Sequence, residues 1–162
     1  MLREVLTIGV YGFDAAAFVA AMQGAEADLL VDIRARRGVR GSRYGFANAT
    51  RLQALLKEAG IGYAHAPELA PLARTRQAQY RTDAAAGVGK RNREHLSPAF
   101  VMDFQDTRLK GFNALAFVQS ACAGARRPAL LCVEEEPAAC HRSLVAAEIA
   151  RQLNVPVRHL KL

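Results

Sequence analysis

Hydrophobic residues along this chain fall into short apolar runs that are separated by stretches with helical spacing. Five runs are predicted to be buried strands, and they cover residues 5–10, 29–33, 61–65, 129–133 and 155–160. Most of these runs are continuously apolar and lack the polar–apolar alternation of a half-exposed strand. Such runs are typical of a parallel sheet that is covered on both faces.

Helices are predicted between the strands from capping residues and from apolar positions three or four residues apart. The predicted N-caps are Asp14, Asn48 or Thr50, and the Ser97 that precedes Pro98, and the best-defined helices cover residues 15–23, 114–122 and 138–153. Residues 67–93 have little apolar periodicity. Because this segment is long for a connection, it is expected to hold a short helix or to act as a mobile flap.

The regular alternation of strands and helices predicts an α/β fold. We expect a single three-layer domain over residues 1–162, with a mostly parallel sheet of about five strands flanked by helices. A chain of this length fits one domain. Residues 67–95 are the part of this domain in which a mobile loop or flap is expected.

Composition narrows the class of partner. The net charge of +7 comes from 22 basic and 15 acidic residues, and most of the basic ones are Arg. This balance favours anionic partners such as nucleotides, nucleic acid or phosphorylated metabolites, although an Arg-rich genome would give the same composition. Three cysteines without a CxxC motif argue against a disulfide framework or a structural zinc site. No segment resembles a membrane span or a signal peptide, so a cytoplasmic protein with no membrane partner is expected.

Polar and reactive residues follow each predicted strand, and ligands of open parallel sheets bind at the carboxyl ends of the strands. These residues are therefore expected to gather at one edge of the sheet. Asp32 and Arg34 follow the second strand, Tyr63 and His65 end the third, Glu134 and Cys140–Arg142 follow the fourth, and Arg158 and His159 belong to the fifth.

The Cys140-His141-Arg142 sequence is the most reactive of these groups. With Pro137 at a first helical position and Glu136 as a cap, it would lie in or beside the first turn of a helix, where free N–H groups favour an anion. Cys140 is either a nucleophile or a small packed residue, and His141 either an acid–base group or a structural hydrogen-bond partner. Arg142 is predicted to bind phosphate or carboxylate, with an ion pair as the alternative.

Two carboxylates and a cluster of arginines could likewise have either a structural or a functional role. Asp32 and Glu134 are expected either to pair with arginines or to take part in proton transfer. No metal is expected, since no recognised ligand spacing occurs and neighbouring Cys140 and His141 should point in different directions on a helix. Residues 34–43 contain five arginines in an exposed loop that could follow a phosphate backbone, with Tyr44 stacking on a base.

The sequence resembles the bacterial and archaeal family known as domain of unknown function 488. The matching pieces run in order along nearly the whole chain and include Val31-Asp32-Ile33-Arg34, Ser42-Arg43, Gly60-Ile61-Gly62-Tyr63, His65, Leu131-Cys132-Val133-Glu134 and Cys140-His141-Arg142. The resemblance implies an α/β fold and a single site formed by Asp32, Arg34, Ser42, Arg43, Glu134, Cys140, His141 and Arg142. It implies no particular activity. Two loops depart from the family pattern, because Ala35 replaces a frequent proline and Ala70-Pro71 replaces a usual glycine pair.

Three functions remain open from the sequence. The preferred hypothesis is binding of, or enzymatic action on, a phosphate-bearing ligand (a nucleotide or nucleic acid), with Cys140, His141, Asp32 and Glu134 as catalytic candidates. Its ligand-binding candidates are Arg142, Arg34, Ser42, Arg43, Tyr63 and His65. The second is a cysteine-dependent transferase or phosphatase that uses Cys140, although no C-x5-R loop is present. The third is a non-catalytic module that binds nucleic acid or protein through Arg36, Arg37 and Arg40.

Overall fold

The computed structural model describes residues 1–162 and contains a five-stranded sheet in which every strand is parallel to its neighbours. The order across the sheet is β3-β2-β4-β1-β5. The predicted α/β fold is confirmed, and the strand ends differ from the predicted ones by at most two residues. The strands are β1 (Val5–Gly9), β2 (Leu29–Asp32), β3 (Gly62–His65), β4 (Pro128–Cys132) and β5 (Val157–Leu160).

Six α-helices connect and cover the strands, and none is long and apolar enough to cross a membrane. Two predicted caps are present: Asp14 accepts a hydrogen bond from the N–H of Ala17, and Ser97 accepts one from the N–H of Phe100. These bonds satisfy N–H groups that a helix start leaves free. The helices are α1 (Ala15–Gly24), α2 (Ala49–Glu58), α3 (Ala73–Ala86), α4 (Pro98–Phe104), α5 (Ala114–Ser120) and α6 (His141–Leu153).

Each face of the sheet has its own hydrophobic core. On one face, side chains of β1, β2 and β4 such as Leu30 and Leu131 pack against α1 and α2. On the other face, Val31 and Leu130 pack against α4, α5 and α6. Because neighbouring residues of a strand point to opposite faces, each strand contributes to both cores. This double coverage explains the continuously apolar strand sequences.

The segment over residues 67–95 contains a helix of 14 residues, α3, which is longer than the short helix expected there. Its buried positions are polar: Gln79 donates to Asp83, and Asp83 accepts two hydrogen bonds from Arg93 at 2.9 and 2.6 Å. Gln79 also accepts from the N–H of Ser97, at the start of α4. The segment is thus held by buried polar contacts. Whether it moves as a flap stays a prediction.

The start of α6 differs from the predicted one. The helix begins at His141 and not at residue 138, because residues 137–139 form a separate turn of 3-10 helix. Glu136 makes no capping bond, so its predicted role was wrong; its carboxylate pairs with Lys161 at 2.9 Å. Cys140 lies between the two helical pieces in an extended conformation with φ −138° and ψ 142°. This kink controls where the Cys140 side chain points.

The strand order opens a crevice between β2 and β4. The chain leaves β2 toward α2 on one face of the sheet, and it leaves β4 toward α6 on the other face. In doubly wound sheets such a divergence of neighbouring connections leaves room for a ligand at the carboxyl ends of the strands. Arg34 and Glu134 are among the first residues on the two sides of this crevice.

Candidate active site

A cavity of about 470 Å³ lies at the end of the crevice, which is a usual size for a small-ligand pocket. The end of β4 and the start of α6 form its floor, and α3 with the segment before α4 covers it. Its lining has five basic side chains and a single carboxylate, that of Glu134. The basic residues are Arg34, Arg36, Arg76, Lys90 and Arg93, and the neutral part of the wall includes Tyr80 and Phe100.

Two thiols and one imidazole meet on the cavity floor. Nδ1 of His141 lies 3.6 Å from Sγ of Cys132 and 3.8 Å from Sγ of Cys140. Nε2 of His141 lies 3.2 Å from the carbonyl oxygen of Ile33. Because a carbonyl only accepts, Nε2 carries a proton, and in the neutral ring Nδ1 presents its lone pair to the thiols. The expectation that Cys140 and His141 point apart was wrong, since Cys140 precedes the helix with extended backbone.

The environment shifts the pKa values of this group. Burial alone would raise the pKa of Cys140, but the Cys132 thiol and the charges of Arg142 and His141 hold it below its ordinary value. The pKa of Cys132 lies above its ordinary value, because its thiol donates a hydrogen bond to Cys140 and is buried. For His141, burial lowers the pKa and the charge of Cys140 outweighs it, so the pKa is raised. Cys140 is therefore the more acidic of the two thiols.

Glu134 extends the floor toward α3. Its Oε2 lies 3.4 Å from Sγ of Cys132, and its Oε1 lies 3.5 Å from Arg93 and 3.8 Å from Lys90. Burial raises the pKa of this carboxyl group, and the neighbouring Cys140 adds to the shift. A carboxyl group with a raised pKa can exchange a proton nearer to neutral pH, so Glu134 has the chemistry of an acid–base group.

Asp32 and its partners form a different group at the end of β2. The Asp32 carboxylate accepts hydrogen bonds from Nε and Nη2 of Arg34 and from the hydroxyl of Tyr63, each at 2.8 Å. Arg34 also donates to the carbonyl of Ala47, and His65 contacts the carbonyl of Arg34. Asp32 is fully buried, and only Arg34 of this group lines the cavity. The structure thus shows the pairing of Asp32 with Arg34 that was one of the two sequence-based alternatives.

Arg142 is fully buried and holds the loop between β4 and α6. Its guanidinium donates to the carbonyl oxygens of Glu134 at 2.6 Å and Glu135 at 3.0 Å, and it does not line the cavity. The same loop crosses closely over β1: a Cβ at Gly9 would lie 2.0 Å from the carbonyl oxygen of Glu134. This geometry favours a role for Arg142 in positioning the loop over direct contact with an anion.

The basic loop lies outside the cavity over most of its length. Ser42 and Arg43 are exposed and do not line the cavity, so the structure does not bring them to the cysteines. The proposed stacking of Tyr44 on a base was wrong, because Tyr44 is buried against Tyr11 and its hydroxyl accepts from the N–H of Gly12. Asn48 occupies the predicted N-cap position of α2, but its side chain makes no capping bond and accepts from the N–H of Val39 in this loop.

On the fifth strand, His159 accepts or donates a hydrogen bond with Thr7 at 2.7 Å, and Arg158 pairs with Glu4. Neither lines the cavity.

Several residues that line the cavity were not among the catalytic and ligand-binding candidates predicted from the sequence. Cys132 is one of them, although its spacing of two from Glu134 places both side chains on one face of the extended chain. Arg76, Lys90 and Arg93 are the others that bear charge near the floor, and all three belong to the segment without apolar periodicity. No sequence signal separates them from the remaining basic residues.

Comparison with known families agrees with the resemblance noted in the sequence. The family model described as "Domain of unknown function DUF488" matches residues 14–149. The chain belongs to the DUF488 family. Neither a curated protein nor a solved structure matches this chain.

The part of this DUF488 protein that matches the family model includes the whole cavity lining, from Arg34 to His141. The model carries no statement of activity. Function therefore has to be argued from the site itself.

Proposed function

We propose that this DUF488 protein binds a phosphate-bearing small molecule, of nucleotide size, in the cavity between β2, β4 and α3 and acts on it there. The observation that carries the proposal is the cavity lining, with five basic side chains against one carboxylate. Two of the basic groups, in Arg34 and Arg93, already pair with Asp32 and Asp83. Lys90 has only a long ion pair with Glu134, at 3.8 Å, so Arg36, Arg76 and Lys90 are the groups that would bind the phosphate.

The shape of the site favours a nucleotide over a polymer. The cavity is covered by α3, whereas a nucleic-acid strand needs an open groove that follows its backbone. Tyr80 lines the cavity with 47% of its surface exposed, so its ring is available to stack on a base. Leu96 and Phe100 supply an apolar wall beside it. A cytoplasmic location, where nucleotides are abundant, belongs to the same proposal.

Equilibrium binding tests this proposal with inorganic phosphate, mononucleotides and a short single-stranded oligonucleotide at low salt. Arg76→Ala and Lys90→Ala should each weaken nucleotide binding about 10- to 100-fold, since a hydrogen bond to a charged group contributes roughly 1.5 to 3 kcal/mol. Arg40→Ala is the matched control, because it removes the same charge from an exposed residue outside the cavity. It should change the affinity less than 2-fold.

Two results would contradict the proposal. One is a lack of binding by all three probes at low salt. The other is an equal loss with Arg40→Ala and Arg76→Ala, which would show that net charge and not the cavity attracts the anion. Tighter binding of the oligonucleotide than of the mononucleotide, lost with Arg37→Ala or Arg40→Ala outside the cavity, would favour the nucleic-acid module.

A second candidate function is supported by the contact between Cys140 and His141. In a cysteine-dependent phosphatase, the Cys140 thiol would give its proton to Nδ1 of His141, and Sγ would attack phosphorus. The bond to the leaving oxygen would break and that oxygen would take the proton. Water would then hydrolyse the thiophosphate, releasing phosphate and restoring the thiol.

Alkylation tests the second candidate. Cys140 should react much faster than Cys122 near neutral pH, because burial raises the pKa of Cys122 to about 12. Cys140→Ser should abolish turnover and keep nucleotide binding. Equally slow alkylation of the two thiols would remove this candidate.

A further inference from the structure

Three buried side chains on the cavity floor place potential metal ligands around one point. Sγ of Cys132, Sγ of Cys140 and the nearest ring nitrogen of His141 all lie within 4.8 Å of one another. The three residues come from the end of β4 and from the junction before α6, so two separate elements of the fold converge there. No other group of three such residues in the chain has this geometry.

The spacing fits a tetrahedral ion. With Zn–S of about 2.3 Å and Zn–N of about 2.1 Å, a tetrahedral angle separates sulfur from nitrogen by roughly 3.6 Å. Nδ1 of His141 lies 3.6 Å from Sγ of Cys132 and 3.8 Å from Sγ of Cys140. The side chains therefore need only small shifts to hold one ion between them.

The imidazole is already oriented as in a metal site. The N–H at Nε2 donates to the carbonyl of Ile33, at the end of β2, and leaves Nδ1 free as a donor atom for a metal. Metal-bound histidines almost always have their second nitrogen fixed in this way. Phe104 packs against the edge of the ring with centroids 5.4 Å apart, which limits its rotation.

We propose that Cys132, Cys140 and His141 bind a thiophilic divalent ion, with Zn²⁺ as the best match, and that its fourth position opens into the cavity. Two sulfur ligands and one imidazole exclude Mg²⁺ and Ca²⁺, which prefer oxygen. Three protein ligands with one open position are typical of catalytic and not structural zinc. Glu134 lies beside this open position, with Oε2 3.4 Å from Sγ of Cys132.

The metal would supply the chemistry of the proposed function, and the following hydrolytic step rests on that function. A water molecule on the fourth position would lose a proton to Glu134, and the resulting hydroxide would attack phosphorus. The bond to the leaving oxygen would break, and Glu134 would return the proton to that oxygen. An ion that holds the Cys140 thiolate leaves no free nucleophile, so this step and the cysteine phosphatase are alternatives.

Metal titration of the untagged full chain tests the site. Protein stripped with a chelator under reducing conditions should bind one Zn²⁺ per chain in competition with a chromophoric chelator. Bound Co²⁺ should show a thiolate-to-cobalt charge-transfer band and tetrahedral d–d bands. Cys132→Ser, Cys140→Ser and His141→Gln should each weaken Zn²⁺ binding at least about 100-fold, the upper end of losses seen for partners of metal ligands.

Cys122→Ser is the matched control, because Cys122 is buried in the α4–α6 core, does not line the cavity and belongs to no such group. It should leave the affinity within 2-fold. Circular dichroism of each variant without metal shows whether that variant is folded. Three folded ligand variants that all bind Zn²⁺ weakly would show loss of a ligand and not loss of the fold. Absence of a 1:1 Zn²⁺ complex, a Cys132–Cys140 disulfide in freshly prepared protein, or an equal loss with Cys122→Ser would overturn the site.

The experiment also separates failure of the metal site from failure of the proposed function. Arg76→Ala should weaken nucleotide binding, as stated above, and keep one Zn²⁺ per chain. A chain that binds nucleotides but no Zn²⁺ overturns the metal site alone. A chain that binds Zn²⁺ but none of the phosphate probes overturns the proposed function alone.

Discussion

The ends of β2 and β4 lie side by side at one edge of the sheet, yet their polar groups behave differently. At the end of β2, the Asp32 carboxylate is fully buried and accepts from Arg34 and Tyr63. At the end of β4, Cys132 and Glu134 face a cavity and have mostly long contacts of 3.4 Å or more. A polar residue at a strand end is therefore a weak sign of chemistry by itself. The groups with incomplete partners and access to a cavity are the ones that can bind something else.

The largest effect is expected when the Asp32 group is broken. Asp32→Ala leaves the buried guanidinium of Arg34 without its carboxylate, which should lower the free energy of unfolding by about 3 to 5 kcal/mol. Urea unfolding measures this change. Asp106→Ala is the control, because it breaks an ion pair with Lys110 in which the side chains of Asp106 and Lys110 are 73% and 79% exposed. It should change the free energy of unfolding little. Equal effects of the two substitutions would show that the Asp32 group does not stabilise the fold.

Arg142 provides the next test, because the sequence favoured it as an anion ligand. Arg142→Met removes two hydrogen bonds to the carbonyls of Glu134 and Glu135 and should cost about 2 to 4 kcal/mol of folding stability. Nucleotide affinity, measured where the variant is still folded, should change less than about 3-fold. A large loss of affinity with unchanged stability would instead identify Arg142 as a ligand-binding residue.

Asp83 tests how firmly α3 covers the cavity, and its effect depends on pH. Burial raises the pKa of Asp83, but hydrogen bonds from Arg93 and Gln79 and the charge of Arg93 outweigh it, so the pKa lies below its ordinary value. A lowered pKa in the folded state gives stability that is present above the unfolded value of about 3.9 and is lost as the pH falls through the folded value. Asp83→Asn should therefore destabilise the protein by about 1 to 3 kcal/mol at pH 7.

Urea unfolding of the wild type and Asp83→Asn at pH 7 and pH 3 measures this dependence. The difference between the two proteins should shrink at the lower pH, because the Asp83 carboxyl group takes up a proton in the unfolded wild type before it does so in the folded protein. A difference that is constant with pH would mean that the charge of Asp83 contributes nothing to holding α3.

The smallest effects are expected in the basic loop. Ser42→Ala and Arg43→Ala change exposed side chains outside the cavity, so stability should stay within about 0.5 kcal/mol. Nucleotide affinity should stay within 2-fold of the wild type. A strong loss of affinity with either variant would extend the site from the cavity to the loop and weaken the contrast between the two strand ends.

The strands and the helix caps at Asp14 and Ser97 were predictable, because they depend on local apolar runs and on capping chemistry. The separation of Asp32 from Cys132 was not. Both strands are apolar on both faces, so their sequences show no alternation of polar and apolar residues. Without it, the face of the sheet on which Asp32 or Cys132 lies cannot be predicted. In the structure, Asp32 pairs in register with Leu131, which faces the α1–α2 core, while Cys132 faces the other side.

Only a short helix, or a flap in its place, was expected where α3 lies, and the reason is related. Its buried positions are Thr75, Gln79 and Asp83, so the spacing of buried residues is helical while their hydrophobicity is not. The helix is held by the contacts of Asp83 with Arg93, which lies 10 residues away in the chain. Hydrophobic periodicity cannot detect a helix that is fixed by polar contacts of this kind.

Gly9 has a consequence for how this site could be changed. The main chain of Glu134 passes where a side chain at Gly9 would begin, with 2.0 Å between the carbonyl oxygen and a Cβ. Real Cβ atoms do not come so near, so even an alanine would push the loop outward. The depth of the cavity is thus controlled by a residue of β1 that does not line it. Adding volume at Gly9 would shift the loop that carries Glu134 and so reshape the floor, without replacing any side chain that lines the cavity.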